Sequence, residues 1–332
     1  MGENKIAIVN SSSFGKIFNS HLSQLEEVGH IEHFTFDQEI DGKSLAEALA
    51  GYNMIISSVT PFFSKEFFEH KDELKLISRH GIGYNNIDLE AAKAHDTIVS
   101  IIPALVERDA VAEQNVTNLL NVLRQVGQST ARVKADHWED RAQFVGHTLF
   151  NKTAGVIGVG NTGSCVAEIL RNGFRCEVLG YDPNKSQLHM EQFGVKKVEL
   201  AELLNRCDVI CLCANLNETS YHMLGADEIA QMKENVYISN SARGALVEEQ
   251  AIIEGLKSGK IAGFATDVLE TEPGRKDHPY LEFPNVIMTP HTAAYTMECL
   301  EQMGQKCVDD VVSMAQGKLP GRSVQAQSAY IK

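Results

Sequence analysis

The chain has a single tryptophan, eight prolines and no apolar run near the ~20 residues that a membrane-spanning helix requires. Basic residues are also scarce, with 30 Lys and Arg against 44 Asp and Glu, a formal charge of −14. Such a surplus repels phosphate backbones and anionic lipid, so neither nucleic acid nor a membrane is expected as a partner. The seven cysteines are an odd number and contain no Cys-x-x-Cys pair. Cys211 and Cys213 alternate within an apolar run, as in a buried strand, so no disulfide framework and no metal site are expected. The opening MGENKIAIVN has Glu3 and only a four-residue apolar run, so no signal peptide is expected. Ile6 stands where a myristoylation motif starting at Gly2 needs Ser or Thr. A cytoplasmic protein in a reducing compartment is the expectation.

What is present is globular. Hydrophobic residues make up 43% and charged residues 22% of 332 positions, enough for two domains with separate cores. Short apolar runs alternate with helical patterns. Lys5–Val9, Ile31–Phe36, Met54–Val59, Leu74–Ser78 and Ile98–Ile101 read as strands, with helical stretches at Ser44–Ala50 and Leu89–Ala94. A long helix, roughly Glu107–Val126, follows Pro103, and a polar stretch with Trp138 leads to Gly146. Strands are then expected at Ala154–Gly158, Glu177–Tyr181, Val209–Leu212, Val236–Ser239, Gly263–Asp267 and Val286–Thr289, with a last helix near Met297–Gln316. The alternation implies an α/β fold with parallel sheets. A linking helix and a returning final helix suggest two lobes with a cleft between them.

Gly158, Gly160 and Gly163 form a G-x-G-x-x-G pattern that follows an apolar strand and opens a helix. In that context the glycines serve a tight turn, a close approach to a pyrophosphate and helix–strand packing. Asp182 ends the next strand, 24 residues after Gly158, where a carboxylate accepts the ribose hydroxyls and repels a 2′-phosphate. NAD is therefore the expected cofactor.

From these residues onward the sequence resembles the NAD-dependent D-isomer-specific 2-hydroxyacid dehydrogenases. The stretches that carry the likeness are SRHGIGYNNIDL (78–89), GVIGVGNTG (155–163), NSARGALVEE (240–249), TDVLETEP (266–273) and TPHTAAYT (289–296). The resemblance implies a Rossmann cofactor domain over 105–296 and a flavodoxin-like substrate domain from 1–104 and 297–332. It implies hydride transfer between NAD and C2 of a 2-keto or 2-hydroxy acid, with Arg243, Glu272 and His291 catalytic and Asp267 facing the nicotinamide end. Asn161 and Thr162 replace the Arg-Ile common within the glycine motif, so phosphate contacts fall to backbone and short polar groups. Cys213, Asn215 and Gln114 are further departures. The stretch 129–150 matches the family's dimer-forming extension, which makes a homodimer the expectation.

Residue chemistry agrees with these roles. The guanidinium fork of Arg243 suits a carboxylate and a neighbouring carbonyl, and His291, after a strand and Pro290, suits proton transfer. A carboxylate on the imidazole fixes its tautomer and favours its charged form. Glu270 and Glu272 both qualify on chemistry; only the resemblance picks Glu272. Gly81, Ile82 and Gly83 offer backbone amides for a substrate carboxylate, with a plain turn as the alternative. Arg79 and His80 just before them are candidates for a second acidic group, with a structural role for Arg79 as the alternative. Transcriptional corepressors share the fold and the triad, so an NAD(H)-sensing interaction protein is the competing reading. Formate dehydrogenase would want Gln in place of Glu272. Which 2-keto acid is used is left open.

Overall fold

The computed structural model describes residues 4–324. The readings at Gly2 and Glu3, and the assignment of 325–332 to the substrate domain, lie outside them. The chain divides into two compact units, one running through Glu107 and resuming at Thr296, the other Arg108–Tyr295.

The first unit holds β1 (Lys5–Val9), β2 (His30–Phe34), β3 (Met54–Ser57), β4 (Leu76–Arg79) and β5 (Ile98–Ser100). All pair in parallel in the order β2-β1-β3-β4-β5, the flavodoxin-like arrangement. β1, β3 and β4 are buried almost throughout, which is why they read as continuous apolar runs. Side-chain caps start the helices: Asp41 takes the amide of Ser44 at 2.8 Å and Asp88 that of Ala91 at 2.9 Å. Several strands end elsewhere than expected. β2 stops at Phe34 because Asn10 claims both the amide and the carbonyl of Phe36, at 2.8 and 3.1 Å. β4 begins at Leu76 because the Thr97 hydroxyl takes the Leu74 carbonyl at 2.8 Å.

The helix Met297–Ala315 belongs to this unit and reaches β4 through buried polar groups. Ser78 Oγ donates to Asp310 Oδ2 at 2.7 Å, and Lys306 Nζ lies 2.6 Å from the same carboxylate. Gly304 permits a close approach to the helix Asn19–Glu26, since a Cβ there would stand 2.2 Å from the buried His21 ring.

In the second unit β6 (Thr153–Ile157), β7 (Glu177–Tyr181), β8 (Lys196–Lys197), β9 (Val209–Leu212), β10 (Val236–Asn240), β11 (Ile261–Thr266) and β12 (Val286–Met288) form a parallel sheet. The order β12-β11-β10-β9-β6-β7-β8 is doubly wound, and the connection reverses direction at β6, as in a Rossmann domain. The expected long helix is Arg108–Arg124; Gln125, at φ 52°, ends it, and a second helix, Val126–Lys134, replaces the start of the polar stretch. Trp138–Gln143 is a short 3-10 helix.

Candidate functional site

Within the second unit the proposed chemistry gathers at the carboxyl ends of β6, β10, β11 and β12. After β6, Gly158 has φ +87°, a conformation that strains any other residue. Gly163 packs so closely that a Cβ would stand 1.9 Å from the Gly158 carbonyl oxygen. At Gly160, by contrast, a Cβ would meet nothing within 4 Å. That open space lies at the amino end of the helix Asn161–Glu168, whose unpaired N–H groups and dipole suit a pyrophosphate. Asn161 is exposed and Thr162 half-buried on its first turn. Asp182 Oδ2 accepts from the Val159 amide at 3.0 Å and Oδ1 from the Asn184 amide at 2.9 Å. These bonds tie the acid to the glycine loop while its remaining lone pairs stay available to a ribose. The residues fit a dinucleotide.

Arg243 follows β10. Asn240 fixes the loop, its side chain donating to the Arg243 carbonyl at 2.9 Å and accepting from Ala242 N at 3.0 Å. Gly244 then lies against the backbone of Leu269 and Glu270, where a Cβ would come within 2.0 Å. This contact brings the Arg243 charge close enough to act on Glu272.

Glu272 and His291 meet directly: His291 Nδ1 is 2.7 Å from Glu272 Oε2. The other carboxylate oxygen accepts from Leu269 N at 3.0 Å. Burial pushes the Glu272 carboxyl up, but the His291 bond and charge, the Leu269 amide and Arg243 outweigh it and hold it below the usual value. His291 sits at φ 53°, a conformation that costs about 1–3 kcal/mol unless its surroundings enforce it. Its amide donates to the Asp267 carbonyl at 2.8 Å, which pins the ring over Glu272.

Asp267 is 1% exposed, and its carboxylate accepts from the Thr289 hydroxyl, from Thr292 N at 3.0 Å and from Ala293 N at 2.8 Å. It organises the loop that carries His291. Glu270 belongs to a different cluster, 2.9 Å from His222 Nε2 and 3.1 Å from the Tyr221 hydroxyl. Sequence chemistry leaves the two glutamates equal, and this cluster has no signal near either of them.

In the first unit the loop Gly81–Ile82–Gly83 follows β4. Arg79 is 4% exposed, and its Nη1 donates to the carbonyls of His80 at 2.9 Å and Ser57 at 3.4 Å. A guanidinium so engaged braces the loop from the inside. Burial pushes the neighbouring His80 down to about 3, helped by the Arg79, His21 and Lys306 charges. Among the described residues no group of three or more His, Cys, Asp or Glu is placed to hold a metal ion. No described helix is long and apolar enough to cross a membrane.

Comparison with known proteins identifies the fold and the motifs. Residues 116–293 match the model of the D-isomer specific 2-hydroxyacid dehydrogenase family, NAD binding domain. The chain is 36% identical over 296 residues to a D-3-phosphoglycerate dehydrogenase of Methanocaldococcus jannaschii, covering 89% of this chain and 55% of that one. It spans about half the length of the phosphoglycerate dehydrogenases it matches. It is 31% identical to a glyoxylate reductase of Thermococcus litoralis, with 83% and 84% of the two chains covered. The apo-structure of D-lactate dehydrogenase from Escherichia coli superposes with a TM-score of 0.82 at 30% identity, covering 96% of this chain and 99% of that chain.

Proposed function

Because the chain belongs to the D-isomer specific 2-hydroxyacid dehydrogenase family, we propose that it interconverts a 2-keto acid and the D-2-hydroxy acid with NAD(H). In the reductive direction C2 gains a hydride, the carbonyl oxygen gains a proton, and NADH becomes NAD+. The nicotinamide supplies only the hydride; binding, polarisation and the proton are tasks for the chain. Gly158, Gly160, Asn161, Thr162, Gly163 and Asp182 are the residues proposed to hold the cofactor. Arg243 draws the carbonyl electrons toward its guanidinium and holds the carboxylate. His291 Nε2 donates the proton, while Glu272 on Nδ1 keeps the ring oriented. The amides of Gly81, Ile82 and Gly83 are proposed to receive the substrate carboxylate.

The observation that carries this reading is the 2.7 Å His291–Glu272 pair with the Arg243 charge acting on the same carboxylate. Loss of NADH absorbance with a panel of 2-keto acids tests it. Turnover that disappears in Arg243→Ala and His291→Ala supports the reading, and no turnover with any acid refutes it. We further propose a homodimer through 129–150, where Val133, Trp138, Val145 and Phe150 are exposed apolar side chains. Light scattering of the purified chain decides that point.

A further inference from the structure

Polarisation and proton transfer, as proposed above, need Arg243 and the Glu272–His291 pair in one fixed relation. These residues sit on separate loops of the second unit. Gly244 lets the loop after β10 lie against the backbone of Leu269 and Glu270. That contact limits how closely the two loops approach; it does not hold them there. A third segment does. Its backbone pairs with the arginine loop: His222 N donates to the Ala245 carbonyl at 2.8 Å, Leu224 N to the Leu246 carbonyl at 3.2 Å, and Glu248 N to the Leu224 carbonyl at 3.1 Å. Its side chains reach the other loop. The Tyr221 hydroxyl donates to Glu270 Oε1 at 3.1 Å, and His222 Nε2 lies 2.9 Å from Glu270 Oε2. The two rings stack at 3.9 Å and 17°, so they present one plate to the carboxylate. His222 has φ 48°, an uncommon conformation that these bonds help to hold.

We infer that Glu270 is a positioning residue, whose carboxylate clamps the loop of Glu272 onto the segment 221–224 and, through it, onto the loop of Arg243. The inference rests on the proposed roles of Arg243, Glu272 and His291; Glu270 acts through them and not on the substrate. Both oxygens of Glu270 are engaged, which fixes the orientation of the turn as well as its distance. Glu272 stands two residues further along that turn, tied to it by the Leu269 amide at 3.0 Å. The loop of His291 is held separately, by the Asp267 carboxylate on Thr292 N and Ala293 N. A shift of 269–272 therefore carries Glu272 away from an imidazole that does not follow.

The full chain is assayed for 2-keto acid reduction with NADH, and its proton NMR spectrum is recorded beside the rates. The Nδ1–H of His291 bonded to Glu272 gives a far-downfield resonance, identified by its absence in His291→Ala. Glu270→Ala should lose that resonance and lower kcat about tenfold or more, while the dissociation constant for NADH stays within about twofold, because Asp182 and the glycine loop stand on other strands. Glu270→Gln should restore both readouts, its carbonyl accepting from Tyr221 and its NH2 donating to the imidazole of His222. Tyr221→Phe, at a ring that is 54% exposed, removes one bond; it should slow turnover about threefold and add nothing to Glu270→Ala. A resonance that survives in Glu270→Ala overturns the inference whatever the rates. A Glu270→Gln variant as slow as Glu270→Ala overturns it too, since charge and not position would then matter. Wild-type protein that reduces no keto acid refutes the dehydrogenase reading alone, and the resonance in Glu270→Ala then decides the inference by itself.

Discussion

Replacing Glu272 by Gln keeps the shape of the side chain and removes its charge from a site 2.7 Å from the imidazole of His291. Two unit charges about 4 Å apart interact by about 4 kcal/mol at an effective dielectric near 20. The His291 and Glu272 side chains are 35% and 26% exposed, so solvent screens much of this and about 1–2 kcal/mol survives. Reduction passes a proton from the imidazolium and oxidation returns one to the imidazole, so the variant loses the attraction that steadies the charged ring in both directions, and both rates should fall. A second effect adds to the first. The Leu269 amide, now 3.0 Å from Oε1, selects the Gln carbonyl and turns the NH2 toward Nδ1. That hydrogen bond favours the tautomer with the proton on Nε2, which neither accepts a proton there nor readily gives one up. We expect kcat to fall about 100-fold or more in both directions. The assay is initial rate against pH in each direction, with Glu270→Gln as the control because that carboxylate serves His222 and Tyr221. Rates that hold in Glu272→Gln but fall in Glu270→Gln would refute the assignment.

Asp182→Ala should narrow the preference for NADH over NADPH by about tenfold or more, read as the ratio of kcat/KM values; an unchanged ratio refutes the ribose role. Gly163→Ala places a methyl 1.9 Å from the Gly158 oxygen and should cost at least about 1–3 kcal/mol in urea unfolding, with NADH affinity lost in parallel. An unchanged midpoint would show that the loop yields. His80 takes up a proton on unfolding at every pH between its folded value, about 3, and its ordinary 6.5. Its contribution is complete above pH 6.5 and is lost as pH falls, about 1–2 kcal/mol by pH 5. Urea midpoints of the native chain should thus fall more steeply from pH 7 to 5 than those of His80→Gln; parallel curves refute the buried neutral imidazole.

Strand positions are legible in the sequence because both sheets are parallel and covered, so their strands are uninterrupted apolar runs. Their ends are not, since side chains distant in sequence set them: Asn10 at Phe36 and Thr97 at Leu74. The helix Val126–Lys134 escapes a sequence reading because it buries no residue. The glycine motif and Asp182 are readable because spacing alone constrains them. The choice between Glu270 and Glu272 depends on His222 and Tyr221, nearly fifty residues earlier.

The bond between Ser78 and Asp310 joins residues 232 apart, and this has a bearing on how the protein is born. A ribosome adding roughly 5–20 residues per second needs roughly 10–50 seconds to cover that interval. Throughout it β4 exists without the helix that satisfies its buried hydroxyl, while every strand of the Arg108–Tyr295 unit emerges in turn. The unit that begins first must therefore finish last. Its sheet spends the interval with an apolar face uncovered, so a nascent chain stalled before Thr296 would carry a first unit still open along β4.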